Sequence, residues 1–303
     1  MIFSAEVYPW IIFHILIIIA IAIDLLVSPK MEGKNGIKFS LYASLAWITV
    51  AVLYGFWIWE ERGPIDASNY FTGYLVEKAL SVDNLFVFLV LFRTFKTPEK
   101  YRRKVLFWGV IGAVLMRAIF IFVGIALIKE FSWILDIFAV FLLVMSYKLL
   151  FKDEQGEIPK VVDWLQSRLR VTSGYRNGHW LVKENGKLYA TPLLVVLLAI
   201  ELTDVVFAID SIPAVMGITQ DPYIVYTSNI FAVLGLRALY FAMSSLLELF
   251  HYLNQGLAII LFFIAVKIFM EGYYHVPNLI SLSIVALVLT LSAVASLVFP
   301  KKE

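Results

Sequence analysis

Carboxylate side chains recur deep inside the long apolar runs of this 303-residue chain. Five acids and two polar neighbours could act together as ligands, and these are Glu77, Asp83, Asn84, Glu201, Asp204, Asp210 and Ser211. Their oxygen atoms suit hard divalent ions such as Mn²⁺, Mg²⁺ or Ca²⁺, whereas Cu⁺ and Zn²⁺ prefer thiolate or imidazole ligands. The chain has no cysteine, and its only histidine deep in an apolar run, His14, is expected to serve in packing. These residue types therefore predict cation binding by oxygen ligands.

The charges inside the apolar runs do not balance. The acids are Asp24, Glu77, Asp83, Asp136, Glu201, Asp204, Asp210 and, near the end of a run, Glu248. The bases are Lys78, Arg117, Lys148, Arg237 and Lys267. Each charge at the centre of a membrane costs roughly 2.5–3.5 kcal/mol on insertion scales, so ion pairs are expected. Five bases can neutralise only five of the eight acids, and the surplus requires a cation or protons.

The bases and two of the acids are assigned to charge pairing or gating. This group contains Asp24, Lys78, Arg117, Asp136, Lys148, Arg237 and Lys267. Asp24 lies in the first apolar run, and the sequence does not decide whether it pairs with a base or extends a pathway.

The five candidate acids lie at similar depths. At about 1.5 Å per residue along a helix, all fall within roughly 10 Å of the predicted midplane. Glu201 and Asp204 share a helix face because they are three residues apart. An acid six residues further on lies about 120° around a straight helix, so one site for all five requires local unwinding. Ser211 and Pro213 make such a break plausible near Asp210.

The elements that must position these residues are membrane-spanning helices. Of the chain, 61% is hydrophobic and 16% is charged, and the mean hydropathy is +0.85. About 20 mostly apolar residues span a bilayer as a helix, and lipid favours helices because it cannot hydrogen-bond to an exposed backbone. The predicted fold is an all-α polytopic membrane protein, a single domain over residues 1–303. Its nine spans are at about 10–27, 41–59, 70–92, 105–128, 131–151, 191–217, 223–249, 256–272 and 278–299.

The distribution of Lys and Arg predicts the orientation of these spans. The connections and tail expected on one side of the membrane contain eighteen basic residues, and those on the other side contain only Arg62 and Lys129. Basic connections lie on the cytoplasmic side. The N-terminus is therefore predicted outside and the C-terminus inside.

Spans 3–5 and spans 6–8 contain the same charges in the same order. Glu77 and Asp204 each precede a second acid by six residues, and an Arg and then a Lys follow in the next two spans of both units. The first unit (70–151) enters the membrane from outside and the second (191–272) from inside. Inverted repeats of this kind are a common plan for transporters, with the site at the midplane between them.

The connector between the two repeats is the largest segment predicted outside the membrane. It covers residues 152–190 on the cytoplasmic side. The stretch 180–189 contains an Asn-Gly pair between residues of strand type, which predicts a β-hairpin. An isolated hairpin is marginally stable, so packing against its surroundings is expected.

Three charged blocks resemble the TerC family of membrane proteins, and most closely its Alx branch. They are residues 73–84 (GYLVEKALSVDN), 201–214 (ELTDVVFAIDSIPA) and 227–238 (TSNIFAVLGLRA), and the similarity covers nearly the whole chain. The resemblance implies a bacterial inner-membrane protein of Mn²⁺ homeostasis, an exporter with paired three-span repeats. It also implies the older labels of tellurium-ion resistance and redox modulation. The chain has no cysteine and no haem or flavin motif that would explain the redox label.

Three hypotheses follow from the residues and the resemblance. The first is a non-enzymatic secondary exporter of Mn²⁺, in which proton antiport is plausible because buried carboxylates can exchange a metal for protons. The second is a transporter of Ca²⁺, protons or a tellurium oxyanion, although surplus carboxylates oppose an anion. The third is a non-transporting membrane partner or metal-loading factor.

The expected partners are the lipid bilayer, the transported divalent cation and a second copy of the chain. Nucleic acid is not expected, and neither is a permanent cofactor. Direct use of ATP is not expected because the chain has no phosphate-binding loop motif.

Overall fold

The computed structural model describes residues 7–27, 36–131, 133–151, 164–165, 167–184, 186–243, 252–270, 273–274 and 276–299. The helices before the connector are α1 (Tyr8–Val27), α2 (Gly36–Arg62), α3 (Pro64–Thr94), α4 (Glu99–Glu130) and α5 (Ile134–Phe151). The connector contains a short 3₁₀ helix (Arg176–Gly178) and strands β1 (Leu181–Glu184) and β2 (Lys187–Ala190). The helices after it are α6 (Pro192–Met216), α7 (Pro222–Leu234), α8 (Leu236–Met243), α9 (Leu253–Met270) and α10 (Asn278–Val298).

The described helices form an all-α membrane architecture. Four segments are long and apolar enough to cross a membrane, namely Lys38–Arg62, Glu99–Glu130, Pro222–Phe241 and Leu279–Val298. Two shorter apolar helical segments are Tyr8–Ile23 and Gln255–Met270. The outward faces of α1 and α10 expose large apolar side chains such as Ile18 and Leu291, as expected for contact with lipid.

Helices α3, α4, α6 and α7 form the centre of the bundle. Helix α3 packs against both α6 and α7, and α4 packs against the same two helices. Helix α5 lies along α9, α2 packs against α3 and α8, and α10 packs against α3 and α9. Every residue of α7 from Tyr223 to Leu234 is buried. Helix α7 is therefore shielded from lipid, whereas α4 also has an exposed apolar face with side chains such as Leu115 and Ile119.

The seventh predicted span is interrupted in the middle of the bundle. Helix α7 ends at Leu234, and α8 begins after Gly235; residues 244–249 of the predicted span lie outside the described part of the chain. The Lys78 ammonium group donates a hydrogen bond to the carbonyl oxygen of Ala232 at 3.0 Å. An added Cβ at Gly235 would lie 2.8 Å from Lys78 Nζ, so a larger residue would displace this ammonium group. Lys78 thus hydrogen-bonds to backbone at the end of α7.

The break expected near Asp210 is wrong. Helix α6 continues through Pro213 and ends at Met216. A proline inside a helix removes one backbone hydrogen bond, and Pro213 does so in the final turn, where the loss interrupts little helix. Backbone bonds from Gly217 to Pro213 and from Thr219 to Val215 close this end of the helix.

The connector forms the two-stranded hairpin that the Asn-Gly pattern predicts. Strands β1 and β2 are antiparallel, with Leu181 opposite Ala190 and Glu184 opposite Lys187. Gly186, in the turn, has a φ of 76°, a conformation that glycine adopts readily. The Lys104 ammonium group of α4 donates to the carbonyl oxygen of Gly178 at 2.8 Å, so the connector packs onto the bundle.

A cluster that we call the Arg62 clasp joins three helices at the opposite end of the bundle from the hairpin. It consists of Arg62 at the end of α2, Asp66 in the first turn of α3 and Asp221 at the N-cap of α7. Arg62 Nε donates to Asp66 at 2.8 Å, and its Nη2 donates to Asp221. Asp221 also accepts hydrogen bonds from the backbone N–H groups of Tyr223 and Ile224.

We predict that replacing Asp221 destabilises the fold more than replacing Asp66. Asp221→Ala removes a helix cap worth about 1 kcal/mol, together with one partly exposed ion pair. Asp66→Ala removes only the ion pair, which contributes between about 0 and 1 kcal/mol. Thermal unfolding in detergent, followed by tryptophan fluorescence, compares the two variants. Equal losses of stability would show that the cap of α7 contributes nothing.

Candidate functional site

The centre of the bundle contains a cluster that we call the Arg117 cluster. It consists of Arg117 of α4, Glu77 of α3, Asp204 and Ser211 of α6, and Asn229 of α7. Arg117 Nη1 donates to a carboxylate oxygen of Glu77 and to Asn229 Oδ1, the latter at 2.7 Å. Its Nη2 donates to Asp204 Oδ1 at 3.2 Å, and Ser211 Oγ lies 3.5 Å from Nη1. One guanidinium therefore connects four helices.

Small residues allow these helices to approach closely around the cluster. An added Cβ at Gly73 of α3 would lie 2.9 Å from Ser228 Oγ of α7, and one at Gly109 of α4 would lie 3.2 Å from Ile200 of α6. Interfaces between membrane helices are rich in such residues because the backbones can then come together. The short Asp204 and Asn229 side chains can reach Arg117 only across interfaces this narrow.

The cluster is buried and carries a surplus of negative charge. Arg117 and Glu77 are fully buried, and Asp204 is 3% exposed. Two carboxylates face one guanidinium, and the hydroxyl of Ser81 lies 3.4 Å from Glu77 Oε1. Among the described residues, Glu77 Oε2 and Asn229 Nδ2 have no hydrogen-bond partner. Removing one partner of such a buried ion pair typically costs about 3–5 kcal/mol, because the charge that stays is left uncompensated.

Glu201 lies beside the cluster without joining it. It is half-buried on α6, and its carboxylate presses against the backbone of α4 at Gly112, where an added Cβ would overlap with it. In the described part of the chain, no hydrogen bond or ion pair of Glu201 is found. This acid is therefore an uncompensated carboxylate three residues from Asp204.

Among the predicted metal ligands whose side chains are described, Glu77, Asp204 and Ser211 meet at Arg117, and Glu201 lies apart from them. In the described ranges, no group of three or more His, Asp or Glu side chains is placed to hold a metal ion. The Arg117 guanidinium lies between Glu77 and Asp204, and Glu201 lies apart against Gly112. The side chains of the remaining predicted acids and the amide, together with Asp24, lie outside the described residues; these are Asp24, Asp83, Asn84 and Asp210.

Among the described residues, those assigned to charge pairing or gating lie on several different helices and do not form one group. Arg117 forms ion pairs as expected of it, and Lys78 binds backbone. Asp136 of α5 and the buried Lys267 of α9 line a cavity of about 480 Å³ beside the end of α6. Arg237 is buried on α8, and Lys148 is half-buried on α5.

Sequence reasoning missed Asn229 as a member of the site. Its signal was the polar run Thr227-Ser228-Asn229 inside an apolar span, because neutral polar side chains in lipid also require hydrogen-bond partners, although they cost less there than charged groups. His14 accepts or donates hydrogen bonds at Trp10 and Tyr226 and stacks on the Tyr226 ring, in agreement with a packing role.

Comparison with known proteins gives consistent matches along the chain. Residues 62–303 match the family model described as integral membrane protein TerC family. The chain is 43% identical over 299 residues to a Salmonella typhi protein, covering 93% of this chain and 91% of the relative. It is 45% identical over 289 residues to a protein of Escherichia coli strain K12, covering 90% of this chain and 89% of the relative. Both relatives carry the provisional name membrane-bound redox modulator Alx.

A third relative also matches nearly the whole chain. It is an uncharacterized membrane protein of Rickettsia bellii, 42% identical over 292 residues, with 95% of this chain and 97% of the relative covered. No solved structure gives a significant match.

We predict that Asn229→Ala destabilises the protein by about 1–3 kcal/mol, because it removes a buried acceptor of Arg117. Ser228→Ala, one residue earlier on α7, is the matched control. Among the described residues, the Ser228 hydroxyl donates only to the carbonyl of Val225 on its own helix, and its loss is expected to cost less than about 1 kcal/mol. Thermal unfolding in detergent measures both. A loss at residue 229 no larger than that at residue 228 would contradict a structural contribution of the amide.

Proposed function

Since this chain belongs to the TerC family of integral membrane proteins, in its Alx branch, we propose that it exports Mn²⁺ across a bacterial cytoplasmic membrane. The ion crosses at the Arg117 cluster by alternating access. The observation that carries the proposal is that Glu77 and Asp204, fully or nearly fully buried on different helices, meet at the centre of an apolar bundle. Buried acids inside a membrane domain mark ion pathways.

The chemistry of the cluster favours a hard cation. Glu77 and Asp204 supply carboxylates, Asn229 an amide oxygen and Ser211 a hydroxyl, and Mn²⁺ accepts all three oxygen types. A tellurium oxyanion would be repelled by the surplus of carboxylates. We propose that three further residues complete the ligand set along the path, namely Asp83, Asn84 and Asp210.

The helix contacts support two inverted repeats. In the proposal, α3, α4 and α5 form one repeat, and α6, the interrupted α7–α8 pair and α9 form the other. The first helix of each repeat contacts the first and second helices of the other repeat, and the third helices contact each other. A two-fold axis in the membrane plane that relates the two repeats produces this symmetric pattern of helix contacts. Glu77 and Asp204, which correspond in the repeats, both bind Arg117 near that axis.

The name of the two Alx relatives describes redox modulation, and this description applies to those proteins. This chain has no cysteine, so thiol chemistry is absent from it. Metal export remains the function that its buried charges support, and proton antiport is the coupling that we propose.

We predict that Glu77→Gln and Asp204→Asn each lower Mn²⁺ efflux by at least roughly tenfold, since even the outer-shell partners of a metal are worth that much. The control is Glu184→Gln, which changes the same kind of group on the exposed hairpin, where Glu184 pairs with Arg176. Total cellular manganese, measured by elemental analysis in Mn-loaded cells without their own exporters, gives the efflux.

The cellular manganese of each strain is compared with that of cells that lack the protein. Low manganese with the wild type and the control, and high manganese with the two variants, supports the proposal. Equal manganese in all strains, with each variant folded in the membrane, would rule out export of this ion and favour Ca²⁺ or a non-transporting role.

The absence of cysteine allows a direct test of orientation. We predict that Glu61→Cys, at the end of α2 beside Arg62, reacts in intact cells with a thiol reagent that cannot cross membranes. Lys187→Cys, in the hairpin, is expected to react only after permeabilisation. Both parent residues are exposed, so accessibility does not limit the reaction. The reverse labelling pattern would overturn the proposed placement of the C-terminus in the cytoplasm.

A further inference from the structure

The guanidinium of Arg117 lies where a transported cation would be neutralised. It donates to Glu77, Asp204 and Asn229, and it lies 3.5 Å from the hydroxyl oxygen of Ser211. We propose that Arg117 is the resident counter-cation of the transport site. When no metal is bound, Arg117 neutralises the acids, and it leaves them when a divalent cation binds. This inference rests on the proposed function of metal export.

Competition between the guanidinium and a metal ion follows from the shared oxygens. Each atom that accepts from Arg117 is also an oxygen of a type that binds Mn²⁺. An arginine stays protonated at every physiological pH, so its positive charge cannot be removed by proton loss. Only another cation can release the two carboxylates from it.

The charge balance of the cluster gives the exchange a direction. Counting only the described members of the Arg117 cluster, two carboxylates face one guanidinium, which is a net charge of −1, and Glu77 Oε2 has no donor among the described residues. A divalent ion in place of the guanidinium balances both acids completely. The cluster therefore holds Arg117 less firmly than it would hold a divalent ion of the right size.

The displaced guanidinium has an acid available on the same interface. Glu201 lies against Gly112, five residues before Arg117 on α4, which is a rise of about 7.5 Å along the helix. Helical side chains lean toward the N-terminus, which is the direction of Gly112 from Arg117. Gly112 lies about 140° around α4 from Arg117, so the guanidinium must change its side-chain conformation to reach Glu201. In this proposal Glu201, three residues from Asp204 on α6, accepts the guanidinium after that change.

The consequence for transport is a separation of two steps. Exchange of Mn²⁺ across the membrane requires only the metal-bound protein to change its conformation. Net export also requires the protein to return without metal, and the acids must then cross with their charge neutralised. Arg117 neutralises one of the two carboxylates in the return step, and a proton on the other completes the neutralisation, which is the proton carried in the proposed antiport.

The test uses the full-length protein in liposomes, with the wild type, Arg117→Met, Arg117→Lys and the control Arg176→Met. Arg176 lies in the short 3₁₀ helix of the connector, outside the Arg117 cluster, and its side chain is 45% exposed. Two rates are measured with radioactive manganese, namely net efflux into metal-free buffer and exchange with manganese on both sides. Mn²⁺ affinity is measured on the detergent-solubilised protein by the rise in melting temperature with added MnCl₂.

For Arg117→Met we expect net efflux to fall by roughly 100-fold, the effect of an unneutralised charge at the bilayer centre, while exchange stays within roughly threefold of wild type. Removing the competing guanidinium should tighten Mn²⁺ binding by at least roughly tenfold. Arg117→Lys keeps the charge and should restore part of the net efflux. The control should match the wild type in both rates.

Other outcomes overturn the inference. Equal loss of exchange and net efflux, or weaker Mn²⁺ binding by Arg117→Met, would assign Arg117 a purely structural role. If Arg117→Met does not fold, Arg117→Lys decides, and an unchanged ratio of net efflux to exchange in it counts against the inference. If the wild type neither exchanges nor exports Mn²⁺, the proposed function itself fails, which is a distinct result.

Discussion

The buried ion pairs of Arg117 constrain the rest of this structure. A guanidinium at the centre of an apolar bundle is stable only if acids lie within hydrogen-bond distance of it, and those acids are equally costly without it. Glu77 and Asp204 come from different helices, so the pairs join α3, α4 and α6, and Asn229 adds α7. The apolar helices around this centre are then free to face lipid. The four helices that carry the charged and polar partners of the cluster therefore pack against one another at the centre of the bundle.

The second constraint is the backbone of α7. A helix that stops inside a bundle leaves carbonyl groups without partners, and lipid cannot supply donors. Lys78 supplies a donor to Ala232, and Gly235 leaves space for the ammonium group. Pro213 needs no such compensation because it lies in the last turn of α6. The break after α7 therefore occurs where a buried cation can stabilise it. Pro213, in contrast, does not interrupt α6.

These two constraints suit a protein that changes between conformations. The ion pairs connect helices of both proposed repeats, so a movement of one repeat against the other must alter them. A charge held in an ion pair can be exchanged for a charge that arrives from solution. Aliphatic packing offers no equivalent exchange, and this explains why a transporter would retain costly ions where a purely structural bundle would favour apolar side chains.

The sequence by itself determined the all-α membrane class, the places where charged residues enter the apolar runs and the hairpin of the connector. These features depend on local hydropathy and turn chemistry, which neighbouring residues largely decide. Glu77 and Asp204 were recognisable as site candidates because acids are rare in lipid. Only the tertiary structure decided that they meet at Arg117, that Asn229 joins them and that Glu201 stays apart. Residues 77, 117, 204 and 229 lie on four helices, and their distances depend on how those helices pack, which no local pattern contains.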